Sequence, residues 1–95
     1  MTKLEEAKEL LKNSFKSQLR DHYFGDREIY WEDGNGNSIA EGYAGSSGIE
    51  VSVNFPNGDT HCFTDNDAEE LDKVNCKIKA IERNDSTGPA QYKGR

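Results

Sequence analysis

Ninety-five residues with 12 bases, 18 carboxylates and a net charge of −6 describe one small acidic domain with a thin core. No apolar run approaches the roughly 18 residues of a membrane span, and the start of the chain lacks an apolar leader, so the expected location is cytoplasmic. An acidic surface repels nucleic acid and anionic lipid, which argues against direct DNA or membrane binding by that surface.

Thr2-Lys3-Leu4-Glu5 reads as a capping box. Leu4, Ala7, Leu11, Phe15, Leu19 and His22 recur at helical spacing behind it and predict an amphipathic helix to about Asp21. Arg27–Glu32 alternates, with Ile29 and Trp31 on one face and Glu28, Tyr30 and Glu32 on the other. Asp33-Gly34-Asn35-Gly36-Asn37 is a turn. Ser38–Ala44 follows as a second strand, in which Ile39, Glu41 and Tyr43 share a face. After Gly45-Ser46-Ser47-Gly48, the residues Ile49, Val51, Val53 and Phe55 alternate with Glu50, Ser52 and Asn54. Pro56-Asn57-Gly58 turns the chain into a fourth strand, Thr60–Thr64. Asn66 with Glu69, and Asp67 with Glu70, are overlapping caps for a short helix to about Val74. Lys77–Glu82 fits a fifth strand at a lysine-protected edge.

The expected fold is therefore α+β. An N-terminal amphipathic helix packs on a four- to five-stranded antiparallel meander, with a short second helix. These elements span residues 1–83, and a polar tail at 84–95 is expected to be flexible.

Charge is segregated along this plan. Residues 28–72 contain no lysine or arginine and hold 11 carboxylates, while the blocks 1–25, 26–72 and 73–95 carry +1, −11 and +4. If the first helix covers one sheet face, Glu28, Tyr30, Glu32, Glu50, Ser52 and Asn54 lie on the other. The candidate partner-binding residues are Glu28, Glu32, Asp33, Glu50, Asp65, Asp67, Glu69 and Glu70, with Tyr30 as an aromatic contact. The same carboxylates also serve to keep a small domain soluble.

Other chemistry is weaker. Asp33 to Glu41 places acceptors where an EF-hand loop has them, but Ser38 replaces the glycine and Ala44 the closing glutamate. A hairpin turn is the expected reading, and no metal site is assigned. His61 and Cys62 are adjacent and point to opposite faces of a strand. His22, His61, Cys62 and Cys76 lack zinc-ligand spacing, and both cysteines are expected to be small core residues. A thin core leaves no room for a cofactor or a catalytic pocket, so no enzyme is expected. Lys8, Lys12, Lys16 and Arg20 form a basic ridge on the predicted helix, their stems flanking the apolar stripe.

In length, in its acidic block at 28–72 and in its helix-plus-meander plan, the chain resembles small acidic phage-encoded inhibitors of host defence, the anti-CRISPR and antirestriction nucleic-acid mimics. That resemblance implies docking on a basic, nucleic-acid-binding protein complex and blocking it, with the basic ends as a departure from an all-acidic mimic. The alternative is a small accessory or oligomerisation domain that meets a protein partner through Tyr30, Tyr43 and its outer sheet face.

Overall fold

Thr2 opens the first helix as its sequence predicts. The Thr2 hydroxyl accepts from the Glu5 N–H at 3.1 Å and the Glu5 carboxylate accepts from the Thr2 N–H at 2.8 Å, a complete capping box for α1, Lys3–Lys12. The computed structural model describes residues 1–21 and 25–84. His22 and the expected tail, beyond the backbone of Asn84, lie outside them.

The helix does not continue to Asp21. It ends at Lys12, and Phe15–Asp21 forms strand β1. Asn13 and Ser14 make the break by competing with the helical ladder: Asn13 Nδ2 donates to the Glu9 carbonyl at 3.2 Å, and the buried Ser14 hydroxyl donates to the Leu11 carbonyl at 2.6 Å. The misreading has a simple cause. Leu11, Phe15 and Leu19 are spaced by four, and a spacing of four keeps residues on one face of a strand as well as of a helix.

Five further strands follow: β2 (Arg27–Glu32), β3 (Ser38–Gly45), β4 (Gly48–Asn54), β5 (Thr60–Thr64) and, after helix α2 (Asp65–Asp72), β6 (Lys77–Asn84). They form one sheet in the order β5-β4-β3-β2-β1-β6. Neighbours are antiparallel except β1 and β6, which run parallel. The α+β class holds, with the sheet enlarged to six strands because 15–21 joins it. Strand β6 takes the edge, as its lysines foretold.

Helix α2 starts directly at Asp65, whose φ of 54° is the left-handed region that Asp tolerates better than most residues. Thr64 is its N-cap and makes no side-chain cap hydrogen bond. The caps expected at Asn66 and Asp67 are thus displaced into the first turn, where Asp65 and Asp67 suit the positive end of the helix dipole.

Both helices cover the same sheet face. Ala7 and Leu11 from α1 and Ala68 and Leu71 from α2 join Ile29, Trp31, Ala40, Val51, Val53, Phe55 and Phe63 in one buried cluster. Each large side chain here contributes about 1.5–3 kcal/mol by leaving water. Gly42 makes room for Trp31 and Val51: a Cβ at Gly42 would lie 3.3 Å from Trp31 Cζ3 and 3.2 Å from Val51 Cγ2. A bulge between β2 and β3 leaves Ile39 without a partner residue, since Trp31 pairs with Ala40 and Glu32 with Ser38. Ile39 accordingly packs against the core beside Ala40, instead of sharing the outer face with Glu41 and Tyr43. Among the described residues no helix is long and apolar enough to cross a membrane.

Candidate functional site

Because the helices occupy one face of the sheet, the pleat sends alternate residues of β2, β3 and β4 to a face that no described helix covers. The register arranges them in rows. Glu28, Tyr43 and Glu50 lie side by side across β2, β3 and β4, and Tyr30, Glu41 and Ser52 form the next row. Carboxylates and phenols therefore alternate both along and across the strands. Glu28 and Glu50 sit two strands apart, roughly 10 Å, with Glu41 diagonal to each. Together these residues line a shallow depression of about 450 Å³.

The two tyrosines are held by neighbouring carboxylates. The Tyr30 hydroxyl donates to Glu28 Oε1. That hydrogen bond, burial, and the negative charges of Glu28 and Glu41 push the phenol above its ordinary value, so it stays a donor. The Tyr43 hydroxyl donates to Asp26 Oδ2 at 2.6 Å. Its ring passes over Gly45, where a Cβ would stand 3.1 Å from Tyr43 Cε2 and 3.2 Å from its hydroxyl oxygen. The absence of a Cβ at Gly45 thus leaves room for the Tyr43 ring, and Tyr43 is 42 % exposed.

Of the residues expected in the site, the fold brings Glu28, Tyr30 and Glu50 together. Glu41 is the member that sequence reasoning left out of the site, although its two-residue spacing from Tyr43 already placed the pair on one face. Glu32 and Asp33 lie at the end of β2. Glu32 is paired with Lys79 at 2.9 Å, and Lys79 is the extra residue of a second bulge, in the β1–β6 ladder.

Asp33 is engaged by its own turn. Its carboxylate accepts from the Asn37 side chain at 3.0 Å and from the N–H groups of Asn37 and Asn35 at 3.0 and 2.7 Å. Those bonds, the Asn37 side chain first, hold its carboxyl below the usual range. The segment is a hairpin turn, and no cluster of potential metal ligands occurs among the described residues.

Asp65, Asp67, Glu69 and Glu70 belong to α2, on the opposite side of the sheet, and Glu70 is ion-paired with Lys8. The base-free span is consequently split between a sheet face and the helical layer. The basic ridge does not form either. Lys8 and Lys12 are helical, but Lys16 is buried in β1, where it bonds Asp72 on α2. Cys76 packs against the core, whereas Cys62 is exposed, against expectation, because its position on β5 faces outward. The thiol of Cys62 points at Glu50 Oε1, 3.7 Å away.

The face offers negative potential, hydrogen-bond acceptors and two phenol surfaces, which is the chemistry of cation recognition. No known protein family, curated protein or solved structure matches the chain.

Proposed function

We propose that this chain is a non-enzymatic, cytoplasmic binding protein that presents the Glu28–Tyr30–Glu41–Tyr43–Glu50 face to a basic surface of a nucleic-acid-binding protein complex and blocks it. The observation that supports this reading is the alternation of carboxylate and phenol on β2 and β3, on the face that no described helix covers. Residues 28–72 supply no lysine or arginine, and the β6 lysines Lys77 and Lys79 are engaged by Phe15 and Glu32. Lys and Arg that track a nucleic-acid backbone find acceptors here at spacings of several Å, and Tyr30 and Tyr43 add surfaces on which guanidinium groups stack. The mode of action is that of the phage-encoded inhibitors which the chain resembles.

Competition tests the proposal. Proteins captured from a lysate at low salt are expected to elute when duplex DNA or RNA is added, because both compete for one basic groove. Captured proteins that stay bound in excess nucleic acid would refute the mimicry.

A further inference from the structure

Strand β5 closes one side of the sheet, and the phase of its hydrogen bonds follows from the hairpin that precedes it. The Phe55 N–H donates to the Asp59 carbonyl at 2.7 Å and the Gly58 N–H donates to the Phe55 carbonyl at 2.9 Å. Phe55 and Asp59 are therefore a hydrogen-bonded pair. In an antiparallel ladder such pairs alternate with pairs that exchange no bonds. The register continues unbroken through Asn54↔Thr60, Val53↔His61, Ser52↔Cys62 and Val51↔Phe63. His61 and Phe63 thus bond to β4, and the N–H and C=O groups of Thr60 and Cys62 point away from the sheet.

This edge lacks the usual guards against strand addition. Thr60-His61-Cys62-Phe63-Thr64 contains no lysine, arginine or proline, and every residue but Phe63 is exposed. The opposite edge, β6, carries Lys77 and Lys79. On the outer face of β5, Glu50 of β4 accepts from the Cys62 thiol, while Asp59 before the strand pairs with Lys3 and Asp65 and Asp67 after it belong to α2 on the helical side.

We infer that β5 is a docking edge for an extended basic segment of a partner protein, which joins the sheet as a seventh, antiparallel strand through main-chain hydrogen bonds to Thr60 and Cys62. Residues of that segment opposite Cys62 share its outer face with Glu50, so Lys or Arg there meets the Glu50 carboxylate, in a chain whose net charge of −6 favours a basic segment. A second copy of the chain fits the edge less well. Antiparallel pairing centred on Cys62 would set Asp59 of one copy beside Asp65 of the other, in molecules that each carry −6. The inference shares Glu50 with the carboxylate–tyrosine face but rests on the main-chain groups of Thr60 and Cys62, so hydrogen exchange at those two amides distinguishes its failure from failure of the face.

The test titrates the isotope-labelled chain at low salt with a short peptide that alternates Arg and Val. Hydrogen exchange at the Thr60 and Cys62 amides is expected to slow about tenfold or more when the peptide is bound, as for an amide entering a ladder. N-methylation of the Arg positions, whose N–H groups face β5, is expected to weaken binding about tenfold or more, while N-methylation of the Val positions leaves it intact. Three results would overturn the inference: no binding, equal sensitivity to both methylation patterns, or binding that shifts Tyr30 and Glu41 and leaves exchange at β5 unchanged. Self-association through β5 that excludes the peptide would overturn it as well.

Discussion

Lys16 and Asp72, 56 residues apart in sequence, meet through two contacts: Lys16 Nζ lies 2.9 Å from Asp72 Oδ1 and 2.8 Å from the Asp72 carbonyl oxygen. Arg27 takes the other carboxylate oxygen at 3.1 Å and holds Gln18 Oε1 at 3.0 Å. The lysine is 7 % exposed, and its ammonium stands 5.4 Å from the centre of the Trp31 ring. Strand β1 thereby fastens the C-terminus of α2, where free carbonyls favour a cation. This contact ties the helical layer to the strand that sequence periodicity assigned to a helix.

Removing Asp72 leaves Lys16 buried without its counter-charge. Asp72→Ala is expected to cost about 3 kcal/mol, the scale for breaking a buried pair. Glu70→Ala, which breaks the exposed pair with Lys8, is expected to cost less than about 1 kcal/mol. Urea denaturation midpoints of the two variants measure the difference.

The same cluster sets an acid limit. Burial pushes the Asp72 carboxyl up, but hydrogen bonds from Lys16 and Arg27, with their positive charges, outweigh it and hold the group below its ordinary 3.8. A carboxyl lowered in the folded state contributes stability that is fully present above the unfolded value and lost as pH falls through the folded value. Stability is thus expected to fall below about pH 4. Asp72→Asn is expected to be less stable at neutral pH and to show a shallower decline on acidification, measured by unfolding across pH.

Gly42 is fixed by contact and not by backbone conformation. Gly42→Ala drives a methyl to within 3.3 Å of Trp31 Cζ3, the Glu50 carbonyl and Val51 Cγ2, and is expected to cost about 1–3 kcal/mol, the range for overpacking. Gly34→Ala meets only Phe15 Cε1 at 3.9 Å and is expected to be near neutral. Thermal melts of both variants check this.

Gly45→Ala acts on the candidate face instead. The added methyl stands 3.0 Å from Asp26 Oδ1 and 3.1 Å from Tyr43 Cε2, so the carboxylate and the phenol that it holds must shift by a few tenths of an ångström. Capture of the partner is expected to weaken with a stability change below about 1 kcal/mol. Quantified capture alongside a melting curve separates the two effects.

Much of this was legible from residue order. Thr2 and Glu5 announced the first cap, and the alternation in Arg27–Glu32 and Ile49–Phe55 placed Ile29, Trp31, Val51 and Val53 in the core, with Glu28, Tyr30 and Glu50 on the opposite face. Three things were not legible. Phe15 and Leu19 satisfy both periods, and only the pairing of β1 with β2 and β6 decides between them. The bulge at Ile39 depends on how two strands meet, which no local pattern records. The side of the sheet taken by α2 is a matter of packing, so Asp65–Glu70 looked continuous with the sheet carboxylates although the fold sets them on the other layer.

Two triple charge reversals that alter net charge equally test the central claim most directly. Glu28, Glu41 and Glu50 changed to Lys strip the helix-free face, while Glu6, Glu9 and Glu69 changed to Lys alter the helical layer. Partner capture at low salt, with folding verified by circular dichroism, is expected to vanish in the first variant and persist in the second. Equal capture by both, or loss only in the second, would contradict the account.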